Sequence, residues 1–198
     1  MVYLRIRKIE KYAKKYNVPI MQKDGIDFLT KYIKENNIKN ILEIGSAIGY
    51  SSIKMALVNK NIRVTTIERD KERYNEAIKN INRLKLNDRI NIILEDALNI
   101  DITGKYDLIF IDAAKSQYIK FFEKFEKNLD ENGVIVTDNL SFHGLVEDDS
   151  KTTNRNTKQL VRKIRNYIEY LKENKNYKTV FYNLGDGIAI SKRIKNID

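Results

Sequence analysis

Two apolar segments, DLIFIDAAKSQ over residues 107–117 and GVIVTDN over 133–139, each run into a carboxylate, the second followed at once by an amide. If these segments are neighbouring parallel strands, Asp112, Asp138 and Asn139 meet in one small volume at their carboxyl ends, where open α/β sheets bind ligands. Two carboxylates and an amide are hard oxygen donors of the kind that suits magnesium. The competing reading is plain turn chemistry, because Asp and Asn are favoured where a strand stops.

A second group of residues speaks for a ligand without phosphate. Glu43-Ile44-Gly45-Ser46-Ala47-Ile48-Gly49-Tyr50-Ser51 follows an apolar run and opens a helical pattern containing Ile53, Ala56 and Leu57. Its glycines let backbone approach a ligand closely, and the helix start offers unpaired N–H groups. The spacing is G-x-x-x-G, whereas a pyrophosphate-binding dinucleotide fingerprint needs G-x-G-x-x-G. Glu68 ends the next apolar run, where a carboxylate accepts hydrogen bonds from ribose hydroxyls, and Asp96 with Ala97 ends the third, beside a place to read an adenine edge.

Elements that would hold these residues are legible in the periodicity. NILEIG (40–45), RVTTIE (63–68), INIILE (90–95), YDLIFID (106–112) and GVIVTD (133–138) are continuously apolar, as strands covered on both faces are. Between them, Tyr74, Ala77, Ile78, Ile81 and Leu84 repeat at helical spacing, as do Tyr118, Phe121, Phe122, Phe125 and Leu129. Alternation of this kind predicts an α/β fold with a parallel, doubly wound sheet. Two helices precede it, one on Val2, Ile6, Ile9, Ala13 and Tyr16 and one on Ile26, Leu29 and Ile33, with Pro19 between them. After a helix bearing Leu160, Ile164, Tyr167, Ile168 and Leu171, YKTVFYNL and IAISKR flank a Gly185-Asp186-Gly187 turn, which predicts a C-terminal antiparallel hairpin.

The 198 residues suit one domain, with residues 1–36 as N-terminal helices covering the site and 37–198 as the core. The chain has no cysteine, which excludes disulfides and thiolate metal sites. Its first residues are too charged for a signal peptide and no apolar run approaches a membrane span, so a cytoplasmic protein with no membrane partner is expected. A formal charge of +10, from 37 Lys and Arg against 27 Asp and Glu, favours polyanions such as nucleic acid, although Lys-rich composition alone gives the same number.

EIGSAIGYS, TIERD, DLIFIDAAKSQY, VIVTDN and GDGIAIS, in this order, resemble the metal-dependent O-methyltransferases related to the catechol and caffeoyl-CoA enzymes, from about Val18 to Ser191. Within that group the pattern is most similar to bacterial tRNA 5-hydroxyuridine methyltransferases. The resemblance implies a Rossmann-like class I methyltransferase fold with a mostly parallel seven-stranded sheet. It implies S-adenosylmethionine (SAM) in a pocket lined by Met21, Glu43, Gly45, Tyr50, Ser51, Glu68, Asp96, Ala97 and Asp112. It further implies magnesium on Asp112, Asp138 and Asn139, catalytic roles for Asp112 and Lys115, tRNA as substrate, and a homodimer. Ala113 and Ala114 depart from the bulkier residues of the catechol enzymes, which fits a larger substrate; the alternatives are an O-methyltransferase of a small catechol-like phenol and a non-catalytic RNA-binding protein with the same fold.

For Lys115 the alternative is a solvated charge at a helix start. Arg5, Arg7, Lys8, Lys11, Lys14 and Lys15 interleave with Tyr3, Tyr12 and Tyr16 on the first helix and would suit phosphates and stacked bases, or simply a wet helix face. Arg155, Arg162, Lys163 and Arg165 form a second basic group after a polar loop, 147–157, that is expected to act as a lid. His143, the single histidine, is assigned a loop or substrate-contact role, since a metal-activated hydroxyl needs no histidine base.

Overall fold

A computed structural model describes residues 2–195. Helices α1 (Val2–Tyr16) and α2 (Lys23–Glu35) lead into β1 (Asn40–Ile44), α3 (Tyr50–Leu57), β2 (Arg63–Glu68), α4 (Lys71–Arg83) and β3 (Ile90–Leu94). Then come β4 (Tyr106–Ile111), α5 (Tyr118–Phe125), β5 (Leu129–Thr137), α6 (Arg155–Glu173), β6 (Tyr177–Tyr182) and β7 (Ile188–Arg193). The seven strands form one sheet in the order β3-β2-β1-β4-β5-β7-β6. Strands β1 to β5 are parallel, and β7 runs antiparallel to both β5 and β6. The direction of winding reverses between β1 and β4, which is where a doubly wound sheet opens a crevice at its carboxyl edge.

Alternate residues of each central strand feed opposite cores. Ile41, Leu108, Phe110, Val134 and Val136 pack on the side of α1 to α4, while Leu42, Ile44, Ile109, Ile111 and Ile135 pack on the side of α5 and α6. Burial on both faces is why these strands read as unbroken apolar runs. Among the described residues no helix is long and apolar enough to cross a membrane.

Three expectations shift at element ends. Leu129 does not close the helix of Phe125: α5 ends there, residues 126–128 make one 3-10 turn, and Leu129 starts β5 opposite Tyr106. Asn128 explains the break, since its side-chain amide donates to the carbonyls of Ile102 and Gly104. On α6, Val161 rather than Leu160 is fully buried with Ile164, Tyr167 and Leu171. The expected lid is not an open loop either. Asp149–Lys151 form a 3-10 turn, and Arg165 ties the segment to α6 through the Val146 carbonyl and the Asp149 carboxylate.

Candidate active site

The parallel ladder continues past the strand ends and sets the geometry of the site. Gly45 donates its N–H to Ile67, Asp112 to Ile44 and Asp138 to Ile111, so the first residues after β1, β4 and β5 stay in register. Gly45 has φ of +95°, and a Cβ there would stand 2.4 Å from the Asp112 carbonyl oxygen. Only glycine permits that backbone approach.

An open pocket of about 270 Å³ lies along this edge. Met21, Gly45, Tyr50 and Ser51 line it, as do Glu68, Asp96 and Ala97 and, toward β4 and β5, Asp112, Lys115 and Asn139. Glu68 is held in place from behind: its two carboxylate oxygens accept the N–H groups of Ala47 at 2.7 Å and Asp70 at 2.9 Å. Asp96 takes the Leu98 N–H and lies 3.6 Å from Arg69.

Two expected residues stand outside the lining. Glu43 is completely buried behind the pocket, where its carboxylate accepts the hydroxyls of Ser51, Ser52 and Thr66. Burial pushes its carboxyl up to about 7 even though those hydroxyls pull it down. Asp138 is 2 % exposed, and its backbone carbonyl accepts the Tyr118 hydroxyl at 2.9 Å.

Asp112, Asp138 and Asn139 are brought together as expected. The Asn139 amide nitrogen donates to Asp112 Oδ1 at 3.0 Å, and Asn139 holds a left-handed backbone with φ of 68°. Asp138 Oδ1 is buried with no hydrogen-bond partner among the described residues. Burial, and for Asp138 also the charge of Asp112, holds both carboxyls above the ordinary range. Among the described residues no group of three His, Cys, Asp or Glu side chains is disposed to hold a metal ion, so the donor set is two carboxylates and an amide. An unpartnered carboxylate oxygen beside a second carboxylate fits a hard divalent cation, which would supply the missing partner and the missing charge.

Lys115 starts a 3-10 turn at the pocket wall, its ammonium 5.7 Å from the centre of the Phe142 ring, and its charge lowers the carboxyls of Asp112 and Asp138. His143 points outward with 68 % of its side chain exposed, while its backbone N–H donates to Asp186.

Sequence reasoning missed two site groups. Asp186 looks like simple turn chemistry between two glycines, yet it is buried, its Oδ2 has no partner among the described residues, and its charge reaches Asp112 and Asp138. Ser46 Oγ is likewise buried and unpartnered at the pocket wall. Its place inside the glycine loop was the only signal for it.

A Gly-rich turn after β1, carboxylates after β2 and β3, and an antiparallel β7 inserted beside β5 define a SAM-dependent class I methyltransferase. The family profile described as O-methyltransferase matches residues 3–194, and the chain belongs to that family. A Staphylococcus aureus structure described as a candidate caffeoyl-CoA O-methyltransferase is 40% identical, with a TM-score of 0.90 over 95% of this chain and 91% of that one. A Bacillus cereus O-methyltransferase in complex with SAH is 25% identical, with a TM-score of 0.81 over 96% and 90%. A catechol O-methyltransferase of Niastella koreensis is 37% identical over 121 residues, 58% of this chain and 55% of that protein. The protein is thus a SAM-dependent O-methyltransferase of the caffeoyl-CoA and catechol type.

Proposed function

We propose that the protein methylates the 5-hydroxyl of 5-hydroxyuridine at the tRNA wobble position, with magnesium held by Asp112, Asp138 and Asn139. The observation that carries the acceptor chemistry is the unpartnered Asp138 Oδ1 beside Asp112. A cation there would act as Lewis acid and template for a hydroxyl flanked by a second oxygen. The 5-hydroxyl and adjacent carbonyl of 5-hydroxyuridine form such a pair, as the two oxygens of a catechol do.

Methyl transfer from a sulfonium is an in-line displacement, so this chain's residues mainly align donor and acceptor. The pocket from Asp96 to Ser51 holds the donor, and Lys115 Nζ assists loss of the acceptor's hydroxyl proton. A nucleic-acid substrate is favoured by the net charge of +10 and by α1. That helix exposes Arg7, Lys8, Lys11, Lys14 and Lys15 beside Tyr3 and Tyr16, which are 67% and 55% exposed. Glu10 on the same helix accepts the hydroxyl of Tyr50 at 3.1 Å, so the basic face adjoins the pocket wall. On α6, Arg165 is already engaged by Asp149, leaving Arg155, Arg162 and Lys163 exposed. A small catechol-like phenol is the second reading, which the Niastella likeness favours.

Mass spectrometry of tRNA nucleosides from cells lacking the protein is expected to show 5-hydroxyuridine in place of 5-methoxyuridine. Turnover of purified enzyme on hydroxyuridine-containing tRNA should fall with salt and stop in excess chelator. Unchanged nucleosides together with salt-insensitive turnover of catechols would replace the tRNA reading with the second one.

A further inference from the structure

Asp186 lies outside the pocket lining, buried between two glycines in the turn that joins β6 to β7. Its backbone carbonyl accepts the Ser141 N–H at 2.7 Å, its Oδ1 accepts that of His143, and the carbonyl of Gly187 accepts that of Leu140 at 3.0 Å. These contacts hold the stretch directly after Asn139, in which Asn139, Phe142 and His143 all take left-handed backbone. Non-glycine residues keep such a conformation only where their surroundings impose it. Asp186 thus secures the segment that presents the Asn139 amide to Asp112.

Securing that turn does not require a charge, since an amide oxygen takes a backbone N–H as a carboxylate oxygen does. The second oxygen, Oδ2, is buried with no partner among the described residues, while the exposed His143 ring stands on the other side, its Nδ1 3.5 Å from Oδ1. A buried carboxylate oxygen left so is costly unless a positive charge answers it. Burial, above all, holds the carboxyls of Asp112 and Asp138 high; of the charges around that pair, Asp186 pushes both further up and Lys115 pulls both down.

Two carboxylates match the charge of a divalent cation, but the Lys115 ammonium cancels one of them. Asp186 restores the balance. Among the described residues no three acidic, His or Cys side chains are disposed to share an ion, so Asp186 acts from outside the donor set. We propose that Asp186 is a positioning residue for the cation at Asp112, Asp138 and Asn139: its Oδ1 secures the turn after Asn139, and its carboxylate returns the negative charge that Lys115 removes. This rests on the magnesium reading of the site.

The probe is Mn2+, titrated into the SAM-free protein, with the free ion counted by electron paramagnetic resonance. Asp186→Asn keeps an acceptor for His143 and removes the charge, so Mn2+ affinity is expected to fall about tenfold, the scale of a lost outer contact at a metal site. SAM affinity by calorimetry should stay within about twofold, as for independent sites. Lys115→Met removes the opposing charge and should tighten Mn2+ binding. The double variant should return to within about threefold of wild type, because the two charges cancel.

Wild-type Mn2+ affinity in Asp186→Asn overturns the inference, as does an equal loss for Mn2+ and SAM, which marks a merely structural role. A double variant as weak as Asp186→Asn overturns it too. If Asp186→Asn does not fold, Asp186→Ser, smaller and still an acceptor, is read by the same comparison. Failure of the wild-type protein to bind Mn2+ would instead refute the magnesium reading itself.

Discussion

The two walls of the pocket hold carboxylates in opposite conditions. On the cofactor wall every acidic side chain is served from within: Glu43 by three hydroxyls, Glu68 by two backbone N–H groups. On the opposite wall Asp138 and Asp186 each keep a buried oxygen with no partner among the described residues, and the charge of Asp112 disfavours that of Asp138. A buried polar atom without a partner is costly, so proteins keep few of them. The contrast separates carboxylates whose oxygens are satisfied by the chain from carboxylates that keep an oxygen without a partner among the described residues.

The sharpest way to break that contrast is to remove the carboxyl whose oxygen has no partner. Asp138→Ala is expected to lower kcat/KM by about a thousandfold, the scale of several kcal/mol of Lewis-acid stabilisation. SAM binding by calorimetry should change little, because Asp138 does not line the pocket. A variant that still turns over at the wild-type rate, with the same response to chelator, would place the metal elsewhere.

Glu43 supplies a second test, through stability and pH. Its carboxyl is raised from 4.5 to about 7, so between those values the folded chain binds more proton than the unfolded one. Stability therefore falls as pH rises through that window, by up to about 3 kcal/mol for this group. Urea melts of wild type and Glu43→Gln should diverge between pH 4.5 and 7, with the variant less affected by rising pH. Parallel curves would show that Glu43 is not the group responsible. The raised carboxyls of Asp112 and Asp138 act in the same direction in both proteins and cancel in the comparison.

The smallest effect is expected outside both walls. Replacing Lys8, Lys11 and Lys15 of α1 with Gln should leave SAM affinity unchanged. It should flatten the salt dependence of tRNA turnover by about 0.7 for each single-strand phosphate that is no longer neutralised. An unaltered slope would remove α1 from the substrate surface.

How legible all this was depends on the kind of signal. The strand ends carrying Glu68, Asp96, Asp112 and Asp138 could be read because doubly buried parallel strands leave long apolar runs with abrupt polar stops. Leu129 was misplaced because its apolar side chain continues the α5 period, while the Asn128 amide that ends the helix acts on carbonyls about 25 residues back, a contact no local pattern displays. Glu43 read as a pocket residue because it sits two residues before Gly45; which face of β1 it occupies is settled by the Ser52 and Thr66 hydroxyls waiting beneath α3. Asp186 was hidden for the opposite reason, since a residue flanked by two glycines already has an explanation as a turn.

By itself the sequence determined the α/β alternation, the Gly turn and the order of acidic strand ends, because these follow from periodicity and from residue types that local backbone geometry demands. Tertiary structure alone decided which carboxylates are spent and which are free. That depends on donors from other strands and helices, as Ser51, Ser52 and Thr66 close on Glu43 and none of the described residues closes on Asp138 Oδ1. A side chain's chemistry is written in its type, but its unmet valence is set by what packs against it.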